Sequence, residues 1–263
     1  IPFEALLTEA YTGDWDQYGK FPWLIKKYTV SYSYSASLFH KTFHQNRGLD
    51  PNLTTLNDWL ALAPVFDDEN QKGVTTDTRN LLKKLDESVK GGTRAYLLSG
   101  EYITYLPGSE TEVKAIFNEF KSRNKNAVLR TFLDANEAFV KSGEFRKFKY
   151  IHIATHGFVN SDNPELSGIV LAQDTTGGND GILYMGEIFN LKLNSELVVL
   201  SACETGLGKY RRGEGVIGLT RALLYAGTKN IIVSLWQVSD ESTEKMMIDF
   251  YKNFLDTYEK QKN

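Results

Sequence analysis

Three short runs of apolar and β-branched residues, separated by helical patterns, constrain this chain more than any other feature. Tyr150-Ile151-His152-Ile153-Ala154-Thr155 closes at His156-Gly157, and Leu197-Val198-Val199-Leu200-Ser201-Ala202 closes at Cys203. Asn230-Ile231-Ile232-Val233-Ser234-Leu235-Trp236 is a third run of the same kind. Nearly continuous apolar runs of this length suit strands buried on both faces, as in a parallel sheet covered by helices. Between the second and third runs, 215–226 places Val216, Leu219, Leu223 and Leu224 on one helical face, and Gly227 supplies the stop. After the third, 240–258 sets Met246, Met247, Phe250, Tyr251 and Phe254 on a stripe read as packing. Strand and helix in alternation predict an α/β fold, a mostly parallel sheet flanked by helices.

Upstream the pattern is thinner. Ser109-Glu110-Thr111-Glu112 reads as a capping box, with Ser109 as cap and Glu112 reaching back to it. The helix it opens runs to about residue 123 and carries Val113, Ile116, Phe117 and Phe120 inward. Strands are predicted over 126–132 and 60–66, a short helix over 135–141, and an edge strand over 27–37. The polar stretch 67–92 reads as a long loop. Within 161–194, two candidate strands, 168–173 and 181–185, flank the turn Thr176-Gly177-Gly178-Asn179-Asp180. They form a β-hairpin insertion between the His-bearing and Cys-bearing strands.

Composition excludes several classes of partner. Net charge is −3 over 263 residues and the charges are mixed, so no basic field points to nucleic acid. The small cluster Lys209-Tyr210-Arg211-Arg212 reads as a solvated loop. No run reaches the roughly 18 apolar residues of a membrane helix. The single cysteine rules out an internal disulfide and suits a reducing, cytoplasmic setting in which a lone thiol is available for chemistry. The chain opens without Met or a signal-like segment, which reads as a fragment of a longer protein.

A thiol becomes a strong nucleophile when a neighbouring imidazole helps to ionise it. In a parallel sheet the ends of two strands share one edge, so the predicted topology brings Cys203 towards His156 at the place where open α/β sheets bind ligands. Gly157 after the histidine, and Thr205-Gly206 after the cysteine, let backbone N–H groups approach a carbonyl. The competing reading is an inert, strand-end cysteine that only packs. His152 and His156 are four apart, about 13 Å on a strand and too far to share a metal. His40 and His44 read as a surface helical pair, so no metal site is expected. No Gly-x-Cys-x-Gly elbow surrounds Cys203, which argues against an α/β-hydrolase.

The segments 150–157 (YIHIATHG) and 200–206 (LSACETG) resemble the histidine and cysteine motifs of CHAT domains, caspase-related peptidase domains often found with tetratricopeptide repeats. Arg212-Gly213-Glu214-Gly215, Leu219-Thr220-Arg221-Ala222 and Ser234-Leu235-Trp236-Gln237-Val238-Ser239-Asp240 are similar to the segments that follow. Asn163-Pro164, Leu166-Ser167-Gly168, Leu106-Pro107-Gly108-Ser109 and Ile1-Pro2-Phe3-Glu4-Ala5-Leu6 also fit. The resemblance implies a caspase-hemoglobinase-like fold and one peptidase domain over 1–263. Early strands and the loop would fill 1–95 and a catalytic core 96–263, with a repeat scaffold N-terminal to both in the longer protein. It implies a cysteine endopeptidase with His156 as general base or acid and Cys203 as nucleophile. The Gly157 and Cys203 N–H groups would form the oxyanion hole. Trp236, Gln237, Asp240 and Glu204 would contact a protein or peptide substrate, Asp240 receiving a basic residue unless Ser239 or Asp240 merely caps its helix. No cofactor, nucleic acid or membrane is implied. Activity would wait on a partner or scaffold, and the alternative is a catalytically silent interaction module of the same fold.

Overall fold

The computed structural model describes residues 6–33, 35–37, 40, 57–65, 94–96, 102–104, 106–158, 163–172, 179–202, 214–234 and 239–260. The loop predicted over 67–92, the basic cluster 209–212 and His44 lie outside them. The chain forms two compact units, Ile1–Gly48 and Leu49–Asn263. In the first, Phe21 is buried beneath the rings of Tyr11, Trp15, Tyr18 and Trp23, at centroid distances of 4.4, 5.3, 5.4 and 5.1 Å. Leu7 and Trp23 form an antiparallel bridge there. The strand predicted over 27–37 is not formed among its described residues, which hold no ladder, and His40 is exposed. Alternation in that stretch comes from tyrosines and serines, and Tyr28 and Tyr32 are themselves exposed, so it has no apolar face to bury.

The second unit is built on five parallel strands: β1 (Asn57–Ala63), β4 (Ala127–Thr131), β5 (Phe148–Thr155), β9 (Leu197–Ala202) and β10 (Asn230–Val233). They lie in the order β10-β9-β5-β1-β4. Between them run β2 (Arg94–Tyr96), β3 (Tyr102–Thr104), α1 (Pro107–Ser122), α2 (Glu137–Lys141), β6 (Gly157–Phe158), β7 (Gly168–Val170), β8 (Ile182–Tyr184), α3 (Met185–Ile188) and α4 (Glu214–Ala226). The last element is α5 (Asp240–Lys260). β2 pairs with β3, and β6, β7 and β8 form a small antiparallel sheet that contains the predicted hairpin.

Side-chain alternation sorts the sheet residues into two cores. Leu60, Leu62, Ile151, Ile153, Val198 and Leu200 face the hairpin and α2 to α4, meeting Ile169, Leu183, Val140, Ile188, Leu219 and Leu223. Trp59, Ala61, Ala63, Ala154 and Val199 face the other way, towards Val113, Ile116 and Phe120 of α1 and Met247, Tyr251 and Leu255 of α5. The α5 stripe is therefore centred on Met247, while Met246, one residue off the seam, is 54% exposed. Burying both faces is what lets β1 and β9 be almost wholly apolar. β10 is an edge strand and is only half-buried, and it stops at Val233.

The ends of α1 follow from local chemistry. The helix begins at Pro107, not Ser109, because proline's fixed φ and missing N–H suit the first helical position. Ser109 lies inside the first turn and its Oγ donates to Leu106 O, so the predicted capping box does not form. At the other end Asn124 takes φ 55°. Its N–H reaches Lys121 O, and Lys125 N–H reaches Phe120 O, a Schellman turn.

Candidate active site

β5 and β9 run in register from Tyr150 opposite Leu197 to Thr155 opposite Ala202. The chain thus leaves both strands at one height on one sheet edge, with His156 next after β5 and Cys203 next after β9. Cys203, Glu204, Trp236 and Gln237 lie outside the described residues, so His156, Gly157 and Asp240 are the predicted site residues that the structure places.

His156 is fully buried. Its carbonyl accepts the Val170 N–H at 2.9 Å, which ties the end of β5 to β7. No peptide bond is cis among the described residues. In a trans peptide the N–H points opposite to the carbonyl, so the Gly157 N–H turns away from β7 and stays out of that ladder. An N–H of this kind is what an oxyanion site draws on. At the neighbouring end of β1, Val65 is buried with φ 68°, an unfavourable conformation for a β-branched residue. Backbone strain is concentrated at functional sites more often than elsewhere, and here it falls at the carboxyl end of the sheet.

Asp240 opens α5 but does not cap it. Ser239 does, its Oγ accepting the Ser242 N–H at 3.2 Å and its carbonyl the Thr243 N–H at 3.0 Å. The Asp240 carboxylate instead crosses to α1 and accepts the Gly108 N–H at 2.8 Å. A Cβ at residue 108 would lie 2.6 Å from Asp240 Oδ2, so glycine there permits the contact. Burial pushes the Asp240 carboxyl above its ordinary range. The Gly108 hydrogen bond opposes that rise, repulsion from Glu112 adds to it, and attraction to His156 pulls it back. Asp240, Glu112 and His156 therefore share one electrostatic neighbourhood.

Glu112 is the residue that sequence reasoning misplaced. Its side chain is 2% exposed, and it contacts two strands at once. Oε1 lies 2.6 Å from His152 Nε2 on β5, and Oε2 accepts the Ser201 hydroxyl of β9 at 3.2 Å. His152 is fully buried and its Nδ1 has no hydrogen-bond partner among the described residues. A buried N–H without an acceptor costs more than a bare lone pair, so Nε2 carries the proton and donates it to Glu112. The signal was present in the spacing: Glu112 falls on the stripe of Ser109, Val113, Ile116 and Phe120, all buried. Among the described residues no group of three or more His, Cys, Asp or Glu side chains could hold a metal ion. No helix among them is long and apolar enough to cross a membrane.

Three kinds of similarity accompany this geometry. A segment of 74 residues, 28% of this chain, is 32% identical to Tetratricopeptide repeat protein 28 of Mus musculus and spans 3% of that protein's length. The protein of the same name from Homo sapiens is 35% identical over 74 residues, again 3% of its length. A solved flavodoxin of Streptococcus pneumonia TIGR4 superposes on 59% of this chain and 94% of its own, with a TM-score of 0.33 and 12% identity. The family model described as CHAT domain matches residues 1–262. The chain accordingly belongs to the CHAT domain family, whose general kind is the caspase-like peptidases.

Proposed function

We propose that the chain is a cysteine endopeptidase that cuts protein substrates at limited sites, with Cys203 as nucleophile and His156 as its general base and acid. The observation that supports this reading is the β5–β9 register, in which Thr155 and Ala202, the residues just before His156 and Cys203 in the sequence, end their strands opposite each other on one sheet edge. His156 takes the thiol proton, the thiolate attacks a peptide carbonyl, and the amine leaves with a proton returned by His156. Water then hydrolyses the thioester. The Gly157 and Cys203 N–H groups receive the oxyanion, for which the outward turn of the Gly157 peptide is support. Asp240 receives a basic side chain before the cut, supported by its attraction to His156, while Trp236, Gln237 and Glu204 contact the substrate backbone. No cofactor takes part.

The full burial of His156 favours a further point. A buried base must be uncovered before it meets a substrate, which supports activity that stays latent until a partner, such as a repeat domain of a longer chain, opens the site. The same burial would suit a catalytically silent interaction module. Incubating the chain and its Cys203→Ala variant with a diverse peptide library, and reading cuts by mass spectrometry, tests the proposal. Cuts made by the wild type alone support the peptidase, and Lys or Arg before them supports the role of Asp240. Silence from both, with Cys203 inert to thiol-reactive probes, would leave the interaction module.

A further inference from the structure

A buried carboxylate bridging two strands is a poor choice for stability, since apolar residues of similar volume pack such a place at least as well. The core face to which Glu112 turns is built from Val113, Ile116, Ala154, Val199, Tyr251 and Trp59, and the carboxyls of Asp240 and Glu244 are near enough to feel its charge. Among the described residues no Lys or Arg pairs with it, and its partners are the His152 ring and the Ser201 hydroxyl. What distinguishes the place is its position under the candidate dyad. His152 and His156 are four residues apart at the end of β5, and Ser201 and Cys203 are two apart at the end of β9. The main-chain ladder fixes how far each strand has slid along the other, but it leaves the strand ends free to twist about the sheet axis. A carboxylate that accepts from both strands removes that freedom on the α1 side.

We propose that Glu112 is a positioning residue for the dyad, tying His152 of β5 to Ser201 of β9 so that the two strand ends present His156 and Cys203 to each other. The inference rests on the dyad reading given above. Glu112 itself touches neither substrate nor reacting atoms. Its helix is held in place by the Gly108–Asp240 hydrogen bond at one end and the Arg123–Asp256 ion pair, 2.7 Å, at the other. Glu112 is thus delivered to the strands by a helix anchored at both ends to α5.

The test is the pH dependence of Cys203 alkylation by iodoacetamide, followed by mass spectrometry on the whole chain, which needs no substrate. Wild type, His156→Ala, Glu112→Gln, Ser201→Ala and Ser201→Thr are compared, with Met247→Ala as a destabilised control on the same core face. At about pH 6 a thiol is alkylated quickly only when an imidazole helps to ionise it, and at about pH 9.5 it needs no help. Glu112→Gln and Ser201→Ala are expected to slow the reaction about tenfold at the lower pH and less than about twofold at the higher, equivalent to roughly one unit in the thiol's apparent pKa. Ser201→Thr keeps a hydroxyl and should recover most of the rate, and Met247→Ala should lower the melting temperature without moving the profile. Should Glu112→Gln fail to fold, Ser201→Ala, which removes one hydroxyl, decides alone. A wild-type profile that depends on His156 but is unchanged in the Glu112 and Ser201 variants overturns this inference and leaves the dyad standing. A wild-type profile already that of an isolated thiol, and unchanged in His156→Ala, overturns the dyad and the inference with it.

Discussion

A carboxyl that loses more hydration than it gains in partners resists ionisation, and Asp240 is in that position. Its pKa is raised in the folded chain above the ordinary 3.8, so over the interval above that value the folded state holds more protons than the unfolded one. Asp240 therefore stabilises the fold most at low pH, and its contribution falls as pH rises through the folded pKa. Asp240→Asn keeps an acceptor for Gly108 and cannot ionise, so urea titrations at several pH values should show a shallower loss of stability than in wild type. Equal slopes in the two proteins would remove Asp240 from that account. His156→Ala, in the peptide-library assay, is expected to lower Cys203-dependent cleavage by about 10² to 10⁴-fold, the usual worth of a general acid–base group. At this scale the sequence draws the eye where chemistry is rare, to a single cysteine and a His-Gly pair, of which the described residues include the second. It misled where chemistry is common. A Glu three residues after a Ser is usually a capping box, and only Pro107, by moving the cap three residues back from Ser109 to Leu106, freed Glu112 to turn inward.

Helices and strands here are joined at a few tight points, and two of them can be tested directly. Phe120 is fully buried where α1 meets the sheet and α5, stacked on Trp59 at 5.2 Å and edge-on to Tyr251 at 5.9 Å. Phe120→Ala should cost about 3–5 kcal/mol in denaturant unfolding, the range for emptying such a site. Gly227 ends α4 with φ 120°, and its absent Cβ would lie 2.3 Å from the Leu193 carbonyl oxygen. Beside it Leu193 N–H donates to Ala226 O at 2.7 Å, joining the end of α4 to the approach to β9. Gly227→Ala should therefore cost more than the roughly 1 kcal/mol of left-handed strain alone, and a loss smaller than that in the same titration would show that the segment before β9 yields. Elements were legible where burial was two-sided: β5, β9 and α4 lie within a residue or two of their predicted bounds. The expected edge strand over 27–37 failed for the converse reason, since alternation without an apolar face records composition and not pairing.

Across the whole second unit, strand order and chain order disagree in an informative way. The chain goes from β1 outward to β4, returns to the other side of β1 as β5, and then proceeds to β9 and β10. Helices fall on both faces, and the carboxyl ends of β1, β5 and β9 share the edge at which this direction reverses. That arrangement was predictable as a class from the apolar runs, but the neighbours of β1 were not, because periodicity describes a strand's faces and is silent on its edges. Those edges set a timetable. β1, with Trp59 to Ala63 destined for complete burial, is made first, yet its partners are not made until residues 127 and 148 have been added. At the roughly 5–20 residues per second of ribosomal synthesis, its most apolar segment waits several seconds with both hydrogen-bonding edges open. For that interval it depends on the ribosome, on chaperones or on the chain already made to keep it from pairing with a neighbouring copy.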